Sequence, residues 1–117
     1  MDVSPQRRFF FLTLFPEMVK AYAQASIMGR AVRNGLISVE VINIRDFTRD
    51  KHKKVDAPPY GGGAGMVLAC QPVLDAYRSI EATLRVGKTR CLLTSPAGPV
   101  FTHETAKNWV QATEDFV

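Results

Sequence analysis

The run Phe9–Phe15 is apolar at every position but Thr13 and is broken at once by Pro16-Glu17. A short continuous apolar run that ends on a breaker predicts a strand buried on both faces. Residues 1–8 before it are polar and predict a flexible N-terminal arm, with the folded unit running over 9–117. Pro16 suits the first turn of a helix, with Glu17 beside the positive helix end. Met18, Val19, Tyr22 and Ala25 then fall on its inner stripe. Ser26 is placed to cap a second short helix carrying Ile27, Ala31 and Val32, closed by Asn34-Gly35. Leu36–Ile44 alternates and is rich in β-branched residues, which predicts a strand.

A polar stretch from Arg45 to about Gly65 interrupts the pattern. Gln71-Pro72 then opens a helix with Val73, Leu74, Tyr77, Ile80 and Leu84 at helical spacing, and Gly87 near its end. Thr89–Thr94 predicts a further strand, left through the turn Ser95-Pro96-Ala97-Gly98-Pro99. Thr102 is the expected cap of a helix reaching about Ala112, with Glu104 in its first turn and Ala106, Trp109 and Val110 inward. Phe116 starts another strand. This order is an α/β alternation, a mainly parallel sheet flanked by helices.

The 117 residues make one domain, and 46% hydrophobic content argues for a folded chain. Cys70 and Cys91 sit in apolar contexts and read as reduced core cysteines of a cytoplasmic protein, not as a disulfide or metal pair. Phe9–Phe15 is too short to span a membrane and lacks a cleavage site. His52 and His103 have no acidic neighbours at ligand spacing, so no metal site is expected.

The chemistry is concentrated in the polar stretch. Four of the eight glycines, Gly61, Gly62, Gly63 and Gly65, follow Pro58-Pro59-Tyr60. Such a segment is neither helix nor strand; it is either a tight connection or a loop shaped for a flat or anionic ligand. Just before it, Arg45, Arg49, Lys51, Lys53 and Lys54 outnumber Asp46, Asp50 and Asp56. The net charge of +4 is compatible with an acidic partner such as RNA, whose phosphates these side chains can neutralise. A solvated charged loop fits the same composition. Tyr60 can stack on an unpaired base, and Phe47 can do so or anchor the loop in the core. Asp56 can accept a proton, orient a base edge, or simply bond nearby amides in a turn. No Gly-Lys-Ser/Thr follows the glycines, so they form no ATPase-type phosphate loop, and their context excludes the dinucleotide fingerprint. In an open parallel sheet, ligands collect beyond the carboxyl ends of the strands, which joins this loop to the turn after Thr94.

Leu14-Phe15-Pro16-Glu17-Met18, Gly29-Arg30-Ala31, Asn34-Gly35-Leu36, Arg45-Asp46-Phe47-Thr48, Val55-Asp56, Pro59–Met66, Gln71-Pro72 and Ser95-Pro96-x-Gly98 occur in this order. From about Phe9 onward the set resembles the N-terminal portion of the bacterial tRNA (guanine-N1)-methyltransferases, the TrmD family. The resemblance implies a SPOUT-class trefoil-knot fold, a symmetric homodimer, S-adenosyl-L-methionine as methyl donor and a tRNA substrate. The target is the guanosine just 3′ of the anticodon, methylated at N1. Position by position, Leu93, Thr94, Ser95, Pro96 and Gly98 match the loop that helps hold the adenosine part of the cofactor. Many family members carry an aromatic residue and a glutamine where this chain has Leu93 and Ala97. Asp56, as an auxiliary group, and the glycine-rich loop match the guanine pocket, and Arg45 to Lys54 match a basic region near tRNA.

The resemblance also implies that the knot is incomplete in this chain. The general base, a catalytic arginine, a glycine-tyrosine-glutamate turn and a C-terminal tRNA-binding domain are expected beyond Val117, so these residues alone are expected to be inactive. A non-catalytic shortened paralogue, acting as an RNA-binding or dimerisation module, is the alternative.

Overall fold

The computed structural model describes residues 5–117. In chain order, β1 (Arg7–Thr13) leads into α1 (Pro16–Gln24), α2 (Ser26–Arg33) and β2 (Ile37–Asn43). A 3-10 turn (Ile44–Phe47) precedes a small hairpin of β3 (Asp56–Ala57) and β4 (Val67–Leu68). Then come α3 (Cys70–Glu81), β5 (Thr89–Arg90), α4 (His103–Ala112) and β6 (Asp115–Phe116). The main sheet has the order β2-β1-β6-β5, and every pairing in it is parallel.

The longest ladder pairs β1 with β2, from Arg7 opposite Ile37 to Thr13 opposite Asn43. Side chains alternate across β1 and thereby recruit helices to both faces. Phe9 stacks on Phe116 with ring centroids 5.1 Å apart, and Phe116 meets Trp109 of α4 at 6.5 Å. Arg7, on that same face, donates to the Val110 carbonyl at the end of α4. Arg8 and Phe10 point the other way, and Arg8 donates to the carbonyl of Thr83 just past α3. Phe10 is buried, a contribution of about 2–3 kcal/mol.

Local signals explain several boundaries. Pro16 stands at the start of α1 and Glu17 in its first turn. Gly35 takes φ +71 after α2, the left-handed turn that ends the helix. Thr102 caps α4, its hydroxyl accepting from the Thr105 N–H at 3.1 Å. Gly29 is buried where α1 meets α2, and a Cβ there would collide with the Gln24 carbonyl.

Other expectations need correction. Residues 1–4 of the expected arm lie outside the described residues, but Arg7 and Arg8 are strand, because their side chains find partners on either face. β1 is covered unevenly, with Phe10 buried and Phe11 exposed. Ser26 caps nothing: it sits inside the first turn of α2 at φ +49, and Ala25 holds the cap position. Met18 and Tyr22 are exposed, and Ala23 is the buried residue of α1. The regular part of the 89–94 strand stops at Arg90, although the Leu92 N–H still reaches the Val117 carbonyl at 2.7 Å. Cys70, at the start of α3, and Cys91 are both free and exposed rather than core. α3 ends at Glu81, and Gly87 turns the following loop at φ +75.

Candidate functional site

β2 ends at its carboxyl edge in the 3-10 turn, where the Asn43 side chain accepts from the Arg45 N–H at 3.0 Å. The chain then folds into a compact knuckle. Asp50 is its centre, one carboxylate oxygen accepting from the backbone N–H groups of His52 at 2.7 Å and Lys54 at 3.1 Å. The Thr48 hydroxyl closes the loop by donating to the Lys54 carbonyl at 2.6 Å. Lys53 lies at φ +58, a left-handed conformation that is unfavourable for a lysine and is held by these bonds. Arg45, Arg49, Lys51, Lys53 and Lys54 are all exposed around this frame.

One end of the knuckle is tied to α3 and the other to Ala69 just before it. The Gln71 side-chain amide donates to the Phe47 carbonyl at 2.6 Å and to an Asp75 carboxylate oxygen at 2.6 Å. At the other end Val55 is fully buried, and its carbonyl accepts from the Ala69 N–H at 2.7 Å. Asp75 also faces Arg49 and Arg78, each at 3.4 Å. The Gln71 hydrogen bond outweighs desolvation and, with the two guanidinium charges, holds the Asp75 carboxyl below its ordinary value.

The glycine-rich stretch is the tip of the β3–β4 hairpin, whose base pairs Asp56 with Leu68 and Ala57 with Val67. Gly61, Gly62, Gly63 and Gly65 take φ of +81, +84, +106 and +87. A Cβ at any of them would meet open space, so backbone conformation rather than crowding selects glycine here. Tyr60 is fully exposed, and Asp56 is exposed at the hairpin base. Phe47 is half-buried; the buried anchor of the loop is Val55.

The turn after β5 is also open. Leu93, Thr94, Ser95, Pro96 and Gly98 are exposed, and the turn is closed by Gly98 N–H to Ser95 carbonyl at 3.2 Å. Among the described residues, no backbone hydrogen bond is made by Leu93 or Thr94. Their N–H and carbonyl groups therefore offer free donors and acceptors, which fits a planar, hydrogen-bonding ligand such as an adenine ring. The knuckle and this turn both leave the carboxyl ends of parallel strands, on opposite lateral edges of the sheet. No hydrogen bond or ion pair joins the glycine tip to Ser95–Gly98 among the described residues. A cleft of about 630 Å³ lies elsewhere, at the amino-terminal end of the sheet among Arg7, Arg85, Lys88 and Glu114.

A family model described as tRNA (Guanine-1)-methyltransferase TrmD matches residues 7–116. The chain belongs to that family. Among its tRNA (guanine-1)-methyltransferase relatives, the tRNA (guanine-N(1)-)-methyltransferase of Ruminiclostridium cellulolyticum is 50% identical over 100 residues, covering 86% of this chain and 42% of the relative. The relative of the same name from Clostridioides difficile is 44% identical over 110 residues, covering 94% and 47%. The crystal structure of tRNA (m1G37) methyltransferase from Aquifex aeolicus matches with a TM-score of 0.80 at 33% identity, over 97% of this chain and 49% of that one. The chain thus spans under half the length of these relatives. The expected fold, a mainly parallel sheet flanked by helices as in SPOUT-class methyltransferases, holds for this TrmD-family chain.

Sequence reasoning found the basic loop but missed what shapes it. Asp50 had a local signal, an aspartate two residues before a backbone N–H that its side chain can take. Gln71 had a local signal only toward Asp75, four residues on in the same helix; its bond to the Phe47 carbonyl, 24 positions away, had none. Among the described residues, no group of three or more metal-ligating side chains exists, and no helix is long and apolar enough to cross a membrane.

Proposed function

We propose that the full-length protein transfers a methyl group from S-adenosyl-L-methionine to N1 of the guanosine 3′ of the anticodon in tRNA. It works as a cytoplasmic homodimer. The observation that carries this reading is the family match over residues 7–116, reinforced by two open loops at the carboxyl edge of one parallel sheet. It favours an enzyme over a non-catalytic module.

Guanine N1 carries a proton at neutral pH and lies on the pairing edge. The base must be unstacked, held and deprotonated as the methyl arrives. Bound S-adenosylmethionine supplies that electrophilic methyl on a sulfonium. Leu93, Thr94, Ser95, Pro96 and Gly98 would hold its adenosine part, Leu93 and Thr94 through backbone groups left free in the exposed turn. Arg45, Arg49, Lys51, Lys53 and Lys54 neutralise phosphates around the anticodon loop. Tyr60 stacks on an unpaired base, and the hairpin tip at Gly61, Gly62, Gly63 and Gly65 lets a purine lie against bare backbone. Asp56 orients a base edge. The general base lies in the part of the relatives that this chain does not cover.

Incubating the full-length protein with undermodified tRNA and labelled methyl donor, then mapping the product, tests the proposal. N1-methylguanosine at the site 3′ of the anticodon is expected, and the 117 residues alone are expected to give none. Absence of transfer by the full-length protein, or a methyl at another atom, overturns it.

A further inference from the structure

The knuckle of residues 48–54 is exposed yet internally closed, one end fixed to α3 and the other to Ala69, the residue that caps that helix. The fixing at Val55 comes from burial and a backbone bond, as in any core-packed chain. At Phe47 the 3-10 turn packs against α3, with Ile44 buried, and the bond that fixes the Phe47 carbonyl comes from one side chain. The Gln71 amide has two hydrogens and spends one on the Phe47 carbonyl and the other on Asp75, both at 2.6 Å. Rotated by half a turn, the amide would set its oxygen against a carbonyl and a carboxylate, so the orientation has one solution. The Arg49–Asp75 pair adds a second, weaker tie, since it is long and Arg49 is mostly exposed.

We infer that Gln71 is a positioning residue for the RNA substrate: it pins the basic knuckle to α3 so that Lys51, Lys53 and Lys54 meet phosphates as a preformed array. The inference rests on the RNA-binding reading of that loop. Its physical basis is preorganisation. A loop of long cationic side chains on a mobile backbone must lose backbone freedom on binding, and that loss weakens affinity. Here the freedom is already removed by Asp50, Thr48 and Gln71, at the cost of a left-handed Lys53. Strained, non-glycine backbone held by its surroundings is a recurrent mark of ligand-contacting segments.

The test uses the full-length protein and the Gln71→Met variant, which keeps length and removes both donors. The expected result is a KM for tRNA raised roughly fivefold, the worth of one hydrogen bond. kcat, the KM for S-adenosylmethionine and the melting temperature should stay near wild type. Amide hydrogen exchange at residues 48–54 should accelerate, a readout independent of activity. Lys53→Ala with Lys54→Ala separates the two layers of the argument. If that pair weakens tRNA binding while Gln71→Met does not, the pin is refuted and the loop reading stands. If neither does, the loop is no RNA contact and both fall. Equal losses in tRNA affinity, cofactor affinity and melting temperature would mark Gln71 as merely structural and overturn the inference. Should Gln71→Met not fold, Gln71→Glu, with an acceptor facing the Phe47 carbonyl, takes its place. Failure of both to fold also assigns Gln71 to the core and rejects the proposal.

Discussion

Arg8 grips Asp115 through two parallel hydrogen bonds across 107 positions of sequence, Nε to Oδ1 at 2.8 Å and Nη2 to Oδ2 at 2.6 Å. The Asp115 side chain is fully buried, and its second oxygen also accepts from the Arg85 N–H at 2.7 Å. One carboxylate therefore ties β1, β6 and the segment after α3 into a single unit. Bidentate geometry of this kind is the strong form of an ion pair. Removing the cation leaves a buried charge short of partners, so Arg8→Leu should destabilise by about 3 kcal/mol or more. Urea unfolding measures this; a midpoint within error of wild type would show that Arg85 suffices alone.

The same pair gives a pH dependence with a definite sign. Burial pushes the Asp115 carboxyl up, but hydrogen bonds from Arg8 and the Arg85 backbone, together with both guanidinium charges, outweigh it and leave the group below its ordinary value. Glu114 is lowered too, first by its hydrogen bond from Lys88. A carboxyl depressed on folding stabilises above its unfolded value, and that stabilisation drains away as pH falls through the folded value. Arg8 is raised, first by the hydrogen bond to Asp115, so its contribution persists up to strongly alkaline pH. Urea midpoints should drop on the acid side, and less steeply for Asp115→Asn. Parallel curves for the two proteins would mean that this carboxyl does not govern acid unfolding.

Lys53→Ala with Lys54→Ala should weaken tRNA binding broadly and reduce the slope of log K against log salt by about 1–2, one counterion per lost phosphate contact. Filter binding across a salt series reads it. An unchanged slope removes these lysines from the interface.

At the hairpin tip, Gly62 sits at φ +84 with no atom near its missing side chain. Gly62→Val therefore adds no clash inside the protein; its cost is conformational, about 1–2 kcal/mol concentrated in one exposed loop. Methyl transfer should fall by tenfold or more while the melting temperature moves by only a few degrees. A large drop in melting temperature with activity retained would return the tip to a structural role.

Gly29 gives the opposite expectation. Its Cβ would strike the backbone of α1, so Gly29→Ala should cost about 1–3 kcal/mol of stability through forced repacking of the α1–α2 corner. Thermal unfolding checks it, and a neutral result would mean that the corner gives way easily.

Pro16, Gly35 and Thr102 were legible because each acts on its own few neighbours. The β1 and β2 strands were legible through unbroken apolar and alternating runs. Met18 and Tyr22 were misread because periodicity assigns a face to a helix and not the neighbour that covers it. Cys70 and Cys91 were misread for a related reason: apolar flanks describe the chain, whereas burial depends on what packs from elsewhere. The basic loop was visible as composition. Its shape, set by Asp50 and Gln71, follows from hydrogen bonds that composition does not encode.

The sheet order has a consequence for how the chain is born. β6 lies between β1 and β5, yet its partner Arg8 in β1 emerges from the ribosome 107 residues ahead of Asp115. Until Asp115 and Phe116 are out of the exit tunnel, β1 keeps an open edge and β5 has no neighbour in this sheet. Completion of the sheet must therefore wait for the last residues, and the edges of β1 and β5 stay unshielded until then.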